Sequence, residues 1–142
     1  MRLHAKKTVS VERPVGPTDV TLAIVEDAGV RVVEGAPGQR FMSSVKDAGL
    51  VIEACLSART RAALLYADNL TAAFFDLSSG EAGEILQKLR NYRIRLAVVC
   101  APGQVQFSSR FGEMLAEERC GPYFGVFDTR ADARAWLAQP IA

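Results

Sequence analysis

Apolar residues gather in short runs along the chain, and between the runs they recur at helical spacing. Val20 to Val25 (VTLAIV) and Val30 to Val33 (VRVV) have the β-branched content of strands. The turn Asp27-Ala28-Gly29 between them offers a glycine for positive φ, which predicts an antiparallel hairpin. A loop over residues 35–40 follows. Val45, Ala48, Ile52, Cys55 and Leu56 then repeat with helical period behind Ser44 and Asp47, a capping-box-like start, so a helix is expected from about Ser43 to Ala58. Residues 62–66 (AALLY) read as a short buried strand. Ala82, Ile85, Leu86, Leu89 and Tyr92 share one helix face, with Glu81 and Glu84 near the start and Lys88, Arg90 and Arg93 near the end, as the helix dipole favours. IRLAVVC (94–100) has the near-continuous apolar run of a central strand. A helix over about Ser108 to Cys120, a strand at Tyr123 to Phe127 and a short helix opened by Thr129 and Asp132 complete the series.

The order β-β-α-β-α-β-α-β-α implies an α/β fold, a single-domain mixed sheet of about five strands whose later strands are parallel and joined by right-handed crossovers. Residues 1–18 mix Arg2, His4, Lys6, Lys7 and Arg13 with Pro14, Gly16 and Pro17 and follow neither period. They are expected to form a flexible basic N-terminal arm ahead of a domain over residues 19–142. A chain of 142 residues has room for one substantial core and not for two. APGQ occurs at 36–39 and at 101–104, too short a match to indicate a repeat.

Composition narrows the function classes. Hydrophobic residues make up 49% and charged residues 23%, the balance of an ordinary folded protein, and the net charge of +1 supplies no field to steer the chain to nucleic acid or an anionic membrane. Neither is expected as a partner. Cys55, Cys100 and Cys120 are odd in number and embedded in apolar segments, which suits buried thiols in a reducing compartment rather than a disulfide framework or a metal site. With no apolar run of signal or spanning length, a cytoplasmic location is expected. The single histidine, His4, lies in the arm, so histidine-based general-base and metal chemistry have no residue within the fold. No catalytic, cofactor-binding or metal-binding residue is assigned, and no cofactor is expected.

Chemistry concentrates instead in FFDLSSGEAGEIL (74–86). Ser78 as N-cap, Glu81 reaching back and Gly80 between them make a helix start, with Gly80 and Gly83 small enough to let the helix approach a strand. The free amides and positive dipole end of such a start also accommodate an anion, including a phosphoryl group on Ser78 or Ser79. Asp76, Glu81 and Glu84 crowd the same point, although acids in a first turn more often serve as caps than as catalysts. Asp68, Asn69 and Thr71 follow the 62–66 strand, where ligands collect in open α/β sheets, and with the 101–107 loop they would flank a pocket. No GxGxxG or P-loop pattern accompanies them.

Residues 67–100, ADNLTAAFFDLSSGEAGEILQKLRNYRIRLAVVC, resemble the family catalogued as domain of unknown function 4180 (DUF4180), small bacterial proteins. The resemblance covers most of residues 19–138 and is strongest over ADNL, FFDLSSG-AGEILQK and NYR-RLAVV. It implies a fold and no activity. The same stretch is more distantly similar to the STAS domain of anti-sigma factor antagonists, in which a serine or threonine before a helix-starting glycine is phosphorylated to switch partner binding. That resemblance implies a phosphoacceptor at Ser79, with Leu77 here standing between the acid and the serines. Together these readings favour a non-enzymatic regulatory or protein-interaction module of STAS-like fold, with Ser79, Ser78, Asp76, Asn69, Gly80 and Glu81 as candidate phosphoacceptor and interaction residues. The alternatives are a small-molecule binding protein or enzyme using Asp76, and a structural homodimer that buries apolar surface around Phe107, Phe111 and Trp136.

Overall fold

The hairpin expected from the turn at Gly29 supplies the second and third strands of a six-stranded sheet. In the computed structural model, which describes residues 5–12, 19–27, 29–42, 45–75, 81–104, 109, 112–113 and 123–139, the strands lie side by side in chain order. They are β1 (Ala5–Glu12), β2 (Asp19–Asp27), β3 (Val30–Gly35), β4 (Ala62–Tyr66), β5 (Arg95–Val99) and β6 (Phe124–Phe127). β1, β2 and β3 pair antiparallel, and β3 through β6 pair parallel. The mixed α/β class follows from these pairings. The helices are α1 (Val45–Ala58), α2 (Glu81–Asn91) and α3 (Arg130–Ala138), with short 3-10 turns at Ala67–Asn69 and Ala72–Phe75. The helix expected over residues 108–120 and the cap at Ser43-Ser44 lie largely outside the described residues.

The stretch read from sequence as part of a flexible arm contains a strand. Ala5–Glu12 pairs with β2 along its whole length, from Ala5 opposite Glu26 to Glu12 opposite Asp19. An edge strand is held by the backbone ladder to one neighbour and tolerates lysines, so it shows little side-chain periodicity.

Strand alternation assigns the two faces. Leu22, Val33, Ala63, Leu65, Leu96, Val98 and Phe124 point to one side, where they meet Ala48, Val51, Ile52 and Cys55 of α1 and Ala82, Ile85, Leu86 and Leu89 of α2 in one buried cluster. Right-handed crossovers between parallel strands in chain order place successive helices on the same face, which is why α1 and α2 pack together. Each fully buried Leu, Ile or Phe in this layer contributes about 1.5–3 kcal/mol. Tyr92, expected on the inward face of α2, is instead 47% exposed. The helix ends at Asn91, and Arg93, at φ 58°, turns the chain before Tyr92 can follow the inward stripe.

α3 covers the other face. Ala133 and Leu137 pack on Val32, Ala62, Leu64 and Ala97. Arg95, on the same side of β5, is buried beneath the end of α3. Its guanidinium stacks 4.2 Å from the centroid of Trp136 and donates to the carbonyls of Leu137 at 3.3 Å and Gln139 at 2.6 Å. A cation at the C-terminal end of a helix compensates its dipole and closes otherwise orphaned carbonyls. Trp136 also packs on Phe127, with centroids 5.3 Å apart, so its ring has partners within its own chain.

Candidate functional site

The carboxyl ends of β3, β4 and β5 form one edge of the molecule, and a single side chain fastens two of its loops. Asn69 is fully buried in the first 3-10 turn after β4. Its Nδ2 donates to the carbonyls of Ala36 at 2.7 Å and Gln39 at 2.8 Å, in the loop that leaves β3. Its Oδ1 accepts from the Tyr66 amide at 2.7 Å, and its carbonyl accepts from the amides of Phe41 at 3.1 Å and Met42 at 2.9 Å. Both Nδ2 hydrogens are therefore committed to backbone, and Asn69 has no donor left for a ligand. Gly35 belongs to the same joint. A Cβ there would overlap Asn69 Oδ1 and press on Leu65 Cδ2 at 3.0 Å, so only glycine lets β3 come this close.

The third loop is tied to the second by Asp68 and Gln104. Gln104 Nε2 donates to Asp68 Oδ1 at 3.1 Å while its Oε1 accepts from the Ala101 amide at 3.0 Å. The loops at 67–71 and 101–104 are thus joined by a direct side-chain bond. Beyond Leu70 the chain is anchored by Phe74 and Phe75. Both are buried, edge-to-face at 5.4 Å, and Phe74 also meets Phe124 at 6.3 Å. This anchor fixes where the chain enters the segment that leads to α2.

Asp76, Ser78, Ser79 and Gly80 lie outside the described residues. Glu81 is the first residue of α2. Gly83 was expected to help the helix approach a strand. It faces outward instead, with nothing among the described residues within 4 Å of where its Cβ would stand. Ala82, Ile85, Leu86 and Leu89 make the inward stripe, and a residue one step from Ala82 is rotated about 100° away from it. Gly83 lines an open groove of about 620 Å³ with Val45 at the start of α1 and Glu84, Gln87, Lys88 and Asn91 of α2. Gln87 donates to Asn91 across one turn of that wall, at 2.9 Å. Gly49, in the interior of α1, faces the same region: among the described residues a Cβ there would meet only Lys88 Nζ, at 3.9 Å.

On the opposite face of the sheet, Glu34 and Arg130 form a forked ion pair, with Nε to Oε2 at 2.7 Å and Nη2 to Oε1 at 3.0 Å. Tyr66 lies beside them. Burial raises its phenol above the ordinary range and the Glu34 charge pushes the same way, while Arg130 opposes both. Neither Glu34 nor Arg130 stood out in the sequence, because 96 positions separate the partners. Burial pushes the Cys55 thiol up to about 12, which leaves it protonated and inert at neutral pH. Among the described residues no three His, Cys, Asp or Glu side chains come together as metal ligands, and no helix is long and apolar enough to cross a membrane.

The model of the family described as Domain of unknown function (DUF4180) matches residues 27–137. No curated protein and no solved structure matches the chain.

Proposed function

The chain belongs to the DUF4180 family, and from that premise we propose that it is a cytoplasmic, non-enzymatic protein-interaction module of STAS-like architecture whose contact surface is α2 and the loop before it. The observation that supports this reading is the placement of Gly83 and Gly49. A glycine inside a helix costs about 0.5–1 kcal/mol relative to alanine. Among the described residues Gly83 has nothing to pack against that would recover this, and Gly49 approaches the tip of a lysine alone. Gly83 lines the groove along the outward side of α2, and Gly49 faces Lys88, which lines it too. A cost kept at an open helix surface is explained by a partner that must approach the backbone closely there.

The segment Ser78-Ser79-Gly80 leads directly into that helix. A phosphoryl group on Ser79, two positions before the first residue of α2, would add up to two negative charges to a surface whose groove already carries Glu84, and would change which partner surface fits. The anchored turn at Phe74-Phe75 and the loops fastened by Asn69 hold the approach to this segment in place.

The test is affinity purification of the tagged chain from its native cells, with Gly83→Arg, Ser79→Ala and Ser79→Glu compared at equal thermal stability. Wild type and Ser79→Ala should retain a stoichiometric partner that Gly83→Arg and Ser79→Glu lose. Retention of the same partner by Gly83→Arg would remove the groove from the contact, and retention by Ser79→Glu would remove the switch.

A further inference from the structure

α1 and α2 end in the same way, at the edge of the sheet opposite the loops described above. After α1 the amide of Arg59 donates to Leu56 at 3.2 Å and that of Thr60 to Cys55 at 3.0 Å; after α2 Arg93 donates to Arg90 at 2.8 Å and Ile94 to Leu89 at 3.0 Å. Both are Schellman closures, which put the turning residue in the left-handed conformation that glycine adopts most easily. Here it is arginine both times. Arg59 and Arg93 each have φ 58°, and they are the two non-glycine residues at positive φ among the described residues.

The two turns lie next to one another. Arg61, which leads into β4, accepts from the Arg95 amide at 2.7 Å, and Thr60 Oγ1 donates to the carbonyl of Arg31 at 2.5 Å. With neighbouring strands about 5 Å apart, Arg59-Thr60-Arg61 and Arg93-Ile94 form one surface. Arg31 is engaged, bonding Ala58 O at 2.7 Å and Glu26 at 3.4 Å. Arg59, Arg61 and Arg93 are exposed, and their guanidinium groups have no hydrogen-bond or ion-pair partner among the described residues. At the same end stand the most exposed large hydrophobic side chains of the described chain, Leu56 at 57% and Tyr92 at 47%.

Helix-dipole compensation accounts for a positive charge near a helix end. It does not account for Arg61, which belongs to no helix, or for arginine where glycine fits without steric cost. Arg31 at α1 and Lys88 in the last turn of α2 already supply that charge. Nor does it account for the exposure of Leu56 and Tyr92. Arginine and tyrosine are the residues that concentrate binding energy at protein interfaces, and the guanidinium fork matches carboxylates. A net charge of +1 makes this a local feature rather than a track for a long polyanion, and Leu56 offers nothing to a phosphate backbone.

We propose that Leu56, Arg59, Arg61, Tyr92 and Arg93 form a docking surface for an acidic segment of a partner protein, with carboxylates for the three guanidinium groups and an apolar side chain against Leu56 and Tyr92. This surface is separate from the Ser78-Ser79 end of α2 and stands whether or not that end is a switch.

The test is fluorescence anisotropy with the full chain and a short labelled peptide of glutamates interspersed with phenylalanine. The same peptide with lysine for glutamate and a single-stranded oligothymidylate serve as competitors in kind. The acidic peptide should bind, more weakly as salt rises, and the Arg59→Gly/Arg93→Gly double variant should lose about tenfold or more in affinity. Arg61→Glu should lose as much. Because glycine relieves the left-handed positions, the thermal midpoint of the double variant should stay or rise. Equal binding by the variants, no binding by the wild type, or tighter binding of the oligothymidylate or the lysine peptide would overturn the proposal. A lowered midpoint in the double variant would show that the arginines serve the fold, and would overturn it as well.

Discussion

Asn69 is the side chain on which the loop edge depends most directly. Replacing it by alanine strips the Tyr66 amide and the carbonyls of Ala36 and Gln39 of their partner in a fully buried place. Three bonds at about 1 kcal/mol each, with a further penalty for buried groups left unsatisfied, give a loss of about 3–5 kcal/mol. That is a large part of the roughly 5–15 kcal/mol by which a domain is stable. Asn69→Asp separates hydrogen bonding from packing. It keeps the shape and the acceptor for Tyr66 but sets a buried carboxyl oxygen against the two carbonyls, so it should cost at least as much as alanine. Gly35 supplies an internal control. Gly35→Ala drives a Cβ into Asn69 Oδ1 and should cost about 1–3 kcal/mol by overpacking. In the Asn69→Ala background that collision disappears, and the two costs should fall short of additivity by about 1 kcal/mol or more. Urea unfolding followed by the emission of the single tryptophan, Trp136, and by far-UV circular dichroism measures the wild type and all four variants. A loss under about 1 kcal/mol for Asn69→Ala, or a fully additive cycle, would refute the role assigned to Asn69.

Four other changes have defined outcomes. Gly83→Ala should stabilise the free protein by about 0.5–1 kcal/mol in the same urea assay, since its Cβ enters open space, while weakening retention of the partner. Arg95→Ala should cost about 2–3 kcal/mol, by loss of the α3 carbonyl bonds and the stack on Trp136, and should shift the tryptophan emission. Arg130→Ala should cost about 2 kcal/mol, by leaving the buried Glu34 carboxylate without its fork, with the arginine's partial exposure holding the figure below that of a fully buried pair. Cys55 should resist iodoacetamide at pH 8 in the native protein and react on unfolding. Because its thiol ionises near 9.0 when unfolded and at about 12 when native, stability should fall as pH rises through that window, with a slope that Cys55→Ala reduces.

The strands and helices that carry strong periodicity were legible in the chain, down to the cap in which Asp132 donates its amide to Thr129 Oγ1. Ala5–Glu12 was not, because an edge strand draws its order from the β2 backbone rather than from side-chain alternation. Gly83 and Tyr92 were placed on the wrong side of α2 for a related reason. Spacing marks which residues can share a stripe, but Ala82, Ile85, Leu86 and Leu89 fill it, and the left-handed turn at Arg93 ends it early. The candidate site shows the same division. Asn69 could be read as a polar loop residue beyond a strand, whereas its bonds to Ala36 and Gln39 join positions 33 and 30 apart. The Glu34–Arg130 fork and the arginine surface at 59, 61 and 93 are products of strand order. Lone charges in the sequence become neighbours only when β3, β4 and β5 lie side by side.

The interaction reading rests on α2, and hydrogen exchange on the complex purified from native cells addresses it most directly. If α2 and the loop before it are the contact surface, the stoichiometric complex should exchange more slowly than the free chain over residues 76–88 and 45–50, and Gly83→Arg should abolish both the complex and the protection. Protection confined to residues 56–61 and 92–95 would contradict that reading and leave the arginine surface as the contact. A chain that co-purifies with no protein, yet gains thermal stability from a small metabolite, would contradict it outright.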